Sequence, residues 1–302
     1  MKFVITGATS FLGIALCRYV LAEKNEVFAV CRKESGKLSA LPDDVNLHVI
    51  YSEMSDYGQL NKKIEDADVF VNLAWAGTGH DGRNNIDVQK QNIENSIEAM
   101  KVANRMGCSV FVEAGSQAEY GTVLDEITEE TPCAPFSEYG KAKLKVKEQG
   151  FAFSEKSKMK YIHLRIFSLF GEEDHPWTLV MSCLSKMKNN SPIDLSSCEQ
   201  NWNFLHVEDG ARQVYGLCLF ALSNDNFIHE VYNIASEDTK PLKNFVKQMK
   251  SITDSNSMLN FGVINPPHVV SLQPDVNKTK AAIGLIANHD FEKDIVSIYS
   301  KI

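Results

Sequence analysis

No stretch of the 302-residue sequence is long and apolar enough to span a bilayer. Positive charge is in deficit: 31 Lys and Arg stand against 39 Asp and Glu, a net charge of −8. That balance argues against nucleic acid or an anionic membrane as the main partner. The seven cysteines (Cys17, Cys31, Cys108, Cys133, Cys183, Cys198 and Cys218) are scattered, and none forms a C-x-x-C pair. No metal site is therefore expected, and reduced thiols of a cytoplasmic protein are the default. There is no internal repeat and no low-complexity segment. The chain reads as a strand from its first residues, so no signal peptide is expected. With 44% hydrophobic and 23% charged residues it has the composition of a globular protein, with length for one or two domains.

What is present begins at residue 1. Phe3-Val4-Ile5 has the length of a buried parallel strand. The turn Thr6-Gly7-Ala8-Thr9-Ser10-Phe11-Leu12-Gly13 follows, and then Ile14, Leu16, Cys17, Val20 and Leu21 recur at helical spacing. A helix start carries unpaired N–H groups and a partial positive charge, so this arrangement suits a pyrophosphate. Gly7 permits the tight turn and Gly13 a close helix–strand approach. Ser10 interrupts the G-x-G-x-x-G spacing of the older dinucleotide fingerprint, and the octet by itself also suits an ordinary βα turn.

The alternation continues. Strands are predicted at 26–30, 45–51, 68–74 and 109–114, and a helix over 87–106 that Gly107 stops. This order predicts an α/β fold, a doubly wound parallel sheet with helices on both faces and ligands at the C-terminal strand ends. The second strand runs into Cys31-Arg32-Lys33-Glu34-Ser35. Arg32 and Lys33 suit a ribose 2′-phosphate, which favours NADP and leaves NAD possible; a solvated basic loop is the plain alternative.

Two further motifs carry chemistry. Tyr139 and Lys143 are four residues apart on a predicted helix and share a face. A tyrosine phenol, with an ordinary pKa near ~10, becomes usable at neutral pH when a neighbouring ammonium favours its phenolate. Ser116 closes the fifth strand within Gly115-Ser116-Gln117-Ala118-Glu119-Tyr120-Gly121.

Together these segments resemble the extended short-chain dehydrogenase/reductase superfamily. TGATSFLG resembles its TGxxGxxG turn, SEYGKAK its SxYGxxK segment, and LRIFSLFG and FLHVED extend the similarity to nearly the whole chain. GSQAEYG is most similar to the nucleotide-sugar 4-keto reductases. The resemblance implies a Rossmann-like domain over 1–171 plus about 201–235, and a smaller, discontinuous substrate lobe from about 172–200 and 236–302. It implies cofactor contacts from Gly7, Thr9, Ser10, Phe11, Leu12, Gly13, Arg32, Lys33, Glu53 (near the adenine), Met54, Leu73, Ala74, Tyr139 and Lys143. In this family pattern Ser116 holds the substrate oxygen, Tyr139 is the proton donor and Lys143 lowers its pKa. The implied partner is a nucleotide sugar, and the implied assembly is a homodimer.

Departures from the pattern narrow the chemistry. Gln117 and Ala118 replace the Asp-Glu pair of the sugar dehydratases, and Ala118 replaces the Cys of the dual epimerase–reductases. Dehydration and epimerisation beside a ketone are thereby disfavoured. Ser168 stands where an Asn usually reaches the substrate, and Trp202 where an Arg usually contacts the diphosphate; Lys186 is one group that could serve instead. His206 is expected to be a buried structural histidine. His80, Arg83, His175 and Trp177 lie in segments expected to rim the pocket. The resulting expectation is an NADP-dependent reductase of a 4-keto deoxyhexose nucleotide. An NAD-dependent 4-epimerase and a non-catalytic NADP-binding regulator are the alternatives.

Overall fold

The computed structural model describes residues 1–79, 81–266, 268–284 and 286–302. The first half alternates β1 (Lys2–Thr6), α1 (Phe11–Ala22), β2 (Glu26–Cys31), β3 (Leu47–Tyr51), β4 (Val69–Asn72), α2 (Ile86–Arg105), β5 (Val110–Ala114), α3 (Glu138–Ser154) and β6 (Lys160–Ile166). After these come β7 (Ser168–Phe170), α4 (Leu179–Lys188), β8 (Ile193–Asp194), β9 (Asn201–His206), α5 (Val207–Ser223) and β10 (His229–Ile234). The chain closes with β11 (Thr239–Pro241), α6 (Leu242–Ile252), β12 (Leu259–Asn260), α7 (Asn277–Ile283) and α8 (Phe291–Lys301).

Seven strands form one sheet in the order β10-β6-β5-β4-β1-β2-β3, every pairing parallel. β1 lies inside it, with Val4 opposite Phe28 on one side and Phe70 on the other. All residues of β4 and β5 are buried, as the apolar triplets Val69-Phe70-Val71 and Val110-Phe111-Val112 predict for strands covered on both faces; Asn72 and Glu113 are buried with them. One face packs on α1 and α5 through Leu16, Val20, Val214 and Leu217. The other packs on α2 and α3 through Met100, Val102, Val146 and Tyr161. This is the Rossmann-like α/β architecture that the alternation predicts.

The predicted strand over 45–51 begins two residues late. Asp44 holds a turn there, accepting the amide of Asn46 on its side chain and that of Leu47 on its carbonyl, and Val45 is left exposed. Outside the main sheet, β7, β9 and β11 form a second sheet and β8 and β12 a third. α4, α6 and α8 close over Phe170, Phe204, Phe245 and Phe291 in a separate apolar cluster. Among the described residues no helix is long and apolar enough to cross a membrane.

Candidate active site

The C-terminal ends of β1, β2 and β4 open into a cleft of about 840 Å³. Gly7, Thr9, Ser10, Arg32, Glu53, Met54, Leu73 and Ala74 line it. Phe11, Leu12 and Gly13 sit just behind, in the first turn of α1, where the amides of Phe11 and Leu12 have no helical carbonyl to bond. The Leu12 side chain is buried in the core, so only its backbone faces the turn. Ser10 caps this helix by accepting the Gly13 amide at 3.1 Å, and so gives the middle position of the motif a local role. Lys33 is exposed and does not line the cleft, whereas Ser35 and Lys37 do.

Two glycines test whether a dinucleotide fits. Gly7 has φ +63°, and a Cβ there would lie 2.9 Å from the Ala74 amide nitrogen. A Cβ on Gly13 would lie 2.2 Å from the Gly7 carbonyl oxygen. Both positions therefore demand glycine, Gly7 for the tight turn beside β4 and Gly13 for the close approach of α1 to that turn, the packing that leaves the helix start bare for a pyrophosphate in dinucleotide-binding folds. The donors, the cradle and the basic rim at Arg32 and Lys37 fit an NAD(P) dinucleotide.

Ser116, Tyr139 and Lys143 come together beyond the cleft's inner wall. Ser116 lies two residues past the end of β5, is buried, and accepts the Ala118 amide at 3.2 Å. Its own amide donates to Glu119 at 2.8 Å in a capping box. Glu119 is fully buried and is also bonded by His163 at 2.9 Å and Arg165 at 3.1 Å. Burial pushes the Glu119 carboxyl up, but His163 and Arg165 hold it below its ordinary value.

Ser137 caps α3 by accepting the Gly140 amide, which sets the start of the helix that carries Tyr139 and Lys143. The Lys143 ammonium is buried. It donates to the Ala114 carbonyl at 2.5 Å, lies 4.0 Å from Glu113, and rests 3.3 Å from the ring centroid of Trp75. Burial pushes Lys143 down to about 8 and Glu113 up to about 7, each partly offset by the other's charge. Asn72 donates to Glu113 at 2.8 Å and Ser96 at 3.4 Å, so this carboxyl is anchored from β4 and α2.

Comparison with known proteins fits this geometry. The family model described as "NAD dependent epimerase/dehydratase family" matches residues 3–235. The chain belongs to that family. Among curated members, the CDP-abequose synthase of Yersinia pseudotuberculosis is 21% identical over 265 residues, covering 87% of this chain and 88% of that protein. The dTDP-6-deoxy-L-talose 4-dehydrogenase (NAD(+)) of Aggregatibacter actinomycetemcomitans is 22% identical over 255 residues, covering 82% and 89%. A crystal structure of UDP-glucuronic acid 4-epimerase from Bacillus cereus in complex with NAD superposes with a TM-score of 0.86 at 18% identity, covering 99% of this chain and 96% of that one. As a member of the epimerase/dehydratase family, the protein is an NAD(P)-dependent enzyme of the nucleotide-sugar type.

Other expected rim residues fall differently. Arg83 reaches Tyr139, its guanidinium carbon 4.3 Å from the ring centroid. His175 and Trp177 stack on each other at 4.3 Å, with Trp177 exposed. His80 lies outside the described residues. His206 is buried, accepts the Glu208 amide and stacks 3.8 Å from His289, in line with a structural histidine. His206, His289 and Asp294 bring potential ligand atoms within 4.8 Å of one another. The near-parallel histidine rings, however, direct their in-plane lone pairs side by side rather than toward one point.

Trp75, Glu113 and Glu119 escape the motif reading. Glu113 had a signal, a carboxylate within the apolar run Val110-Phe111-Val112-Glu113-Ala114. Trp75 had none, because its contact with Lys143 joins segments 68 residues apart in sequence.

Proposed function

We propose that the protein is an NADP-dependent reductase acting on the 4-keto group of a nucleotide-linked deoxyhexose. The carrying observation is the cluster of Ser116, Tyr139 and Lys143 beside the cleft, with Gln117 and Ala118 where acids for elimination would stand. The similarity to CDP-abequose synthase over 87% of the chain supports the same reading. Gly7, Ser10 and the first turn of α1 would hold the pyrophosphate, Arg32 a 2′-phosphate and Glu53 the adenosine side. Bound NADPH supplies the hydride. Ser116 orients the substrate oxygen, Tyr139 gives it a proton as negative charge develops, and Lys143 stabilises the phenolate left behind. Residues 172–200 and 236–302 would form the substrate lobe. The net charge of −8 supports a protein without nucleic-acid or anionic-membrane partners, and the scattered, unpaired cysteines support a cytoplasmic one. A homodimer is part of the same reading.

A panel of nucleotide 4-keto sugars should support one-for-one NADPH consumption, with deuterium from 4-deuterated NADPH arriving at sugar C4. Tyr139→Phe should lower kcat by about a hundred- to ten-thousand-fold with NADPH binding intact. The second reading, a 4-epimerase, draws on the NAD-bound epimerase structures that share the fold. Purified protein that retains stoichiometric NAD and interconverts 4-epimers without added cofactor would establish it instead.

A further inference from the structure

Two cations flank the Tyr139 ring, and they are held in different ways. The Lys143 ammonium is 5.8 Å from the Tyr139 ring centroid but only 3.3 Å from that of Trp75. It is further engaged by the Ala114 carbonyl and by Glu113. Much of its charge is therefore answered before it reaches the phenol. Trp75 is in turn fixed: its Nε1 donates to Gln89 at 2.9 Å, and its ring meets Tyr139 edge-on at 6.0 Å. Asn92 bonds both the amide and the carbonyl of the next residue, Ala76, so the segment after β4 is pinned to α2.

Arg83 arrives from that same pinned segment and is free of such competition. Its guanidinium carbon lies 4.3 Å from the Tyr139 ring centroid, and its backbone carbonyl accepts the Tyr139 amide at 2.8 Å. Among the described residues no carboxylate pairs with its side chain. A phenolate spreads negative charge from its oxygen into the ring, so a cation over the ring face favours phenolate over phenol.

We propose that Arg83 is the second cation of the site and that it acts through Tyr139, making the phenol a stronger acid; this rests on reading Tyr139 as the proton donor. In the proton-transfer step the Tyr139 O–H bond breaks and a new O–H bond forms on the substrate alkoxide. The electron pair stays on the phenolate oxygen under Arg83, and solvent returns the proton. Arg83 acts through the Tyr139 ring and is a positioning residue in the electrostatic sense.

The other groups facing Tyr139 set the background. From its own helix comes Lys143; from β5 and the turn after it come Glu113, Glu119 and the Ser116 hydroxyl. Burial pushes the phenol up, the Ser116 hydrogen bond and then Arg83 work against this, and Glu119 and Glu113 add to it.

The test reads the phenol directly, in unliganded protein. Ring-labelled tyrosine NMR follows the titration of Tyr139, its resonance assigned by its loss in Tyr139→Phe. In Arg83→Gln the Tyr139 step should move up by about one unit or more, while Arg83→Lys, which keeps the charge, should restore most of it. The high-pH limb of kcat should move in the same direction. Thermal unfolding checks that each variant folds, and Arg83→Met repeats the comparison if Gln does not. An unmoved Tyr139 step in the charge-removing variant, or an equal shift in Arg83→Lys, overturns the proposal. Wild-type turnover in Tyr139→Phe would instead sink the donor assignment and leave the titration result standing.

Discussion

Arg32 follows the end of β2 at the cleft rim and, among the described residues, is in no ion pair, although Glu34 and Glu53 line the same cleft. A guanidinium so placed gains most from a doubly charged phosphate and little from a ribose hydroxyl. Arg32→Ala should therefore weaken NADPH binding by about 1.5–3 kcal/mol and leave NADH binding nearly unchanged. Titration of both cofactors by protein fluorescence would check this, and equal losses would return Arg32 to a solvated surface role. Lys33, its neighbour in sequence, shows the limit of reading a basic pair from sequence alone. Successive residues of a chain leaving a strand point apart, and only one of the two side chains reaches the cleft.

At the scale of elements, β5 carries an unusual burden: a carboxyl inside a fully buried strand. The Glu113 carboxyl is pushed up to about 7 by burial, so folding takes up a proton wherever the unfolded chain has already lost it. Unfolded Glu ionises near ~4.3, and between about pH 5 and 7 the unfolded state binds fewer protons than the folded one. Stability from this group is thus full at low pH and is lost as pH rises through its folded value, with a slope of up to about 1.4 kcal/mol per pH unit. Lys143, pushed down to about 8, acts in a separate window, its contribution being lost as pH falls through that value. Glu113→Gln can keep the contacts to Asn72 and Ser96, and it should flatten the dependence of Tm on pH between about 5 and 7. An unaltered profile in scanning calorimetry would count against the raised carboxyl.

The strands and helices themselves were largely legible in the sequence, since unbroken apolar runs and a 3.6-residue period leave local traces. Val45 misled because it is apolar and β-branched, yet Asp44 diverts the chain into a turn before β3 starts. The Ser116–Tyr139–Lys143 grouping was legible through motif spacing. The partners around it were harder to read: Trp75 meets it only through tertiary contacts, Arg83 was legible only as a rim residue, and Glu113 and Glu119, though near Ser116 in sequence, are held by the distant Asn72, His163 and Arg165.

On the scale of the whole molecule, α5 ties the C-terminal segment back to the sheet side: Gln213 donates to the Ile286 carbonyl at 2.7 Å, and Asp209 holds the next turn. Asp209, near the start of α5, accepts the amides of Asn288 and His289, both at 2.9 Å, and pairs with Arg212 at 3.2 Å. α8 begins immediately afterwards. Asp209→Ala leaves both amides without their acceptor, which should cost about 1–3 kcal/mol locally. Hydrogen exchange should then show faster opening of residues 291–301, with β1, β4 and β5 as protected as before. Uniform loss of protection would mean that the segment opens only with the whole fold.

Among the described residues, every one that lines the cleft falls between Gly7 and Asn95. Ser116, Tyr139 and Lys143 follow it in the chain, and α4, α6 and α8 come later still. A ribosome working at about 5–20 residues per second therefore releases the complete set of cleft residues several seconds before Lys143, and longer before the last helix. The growing polypeptide holds the parts of a nucleotide groove before it holds the groups that could use one. Premature termination between Asn95 and Ser116 would yield a fragment with those parts and without the Ser116, Tyr139 and Lys143 side chains.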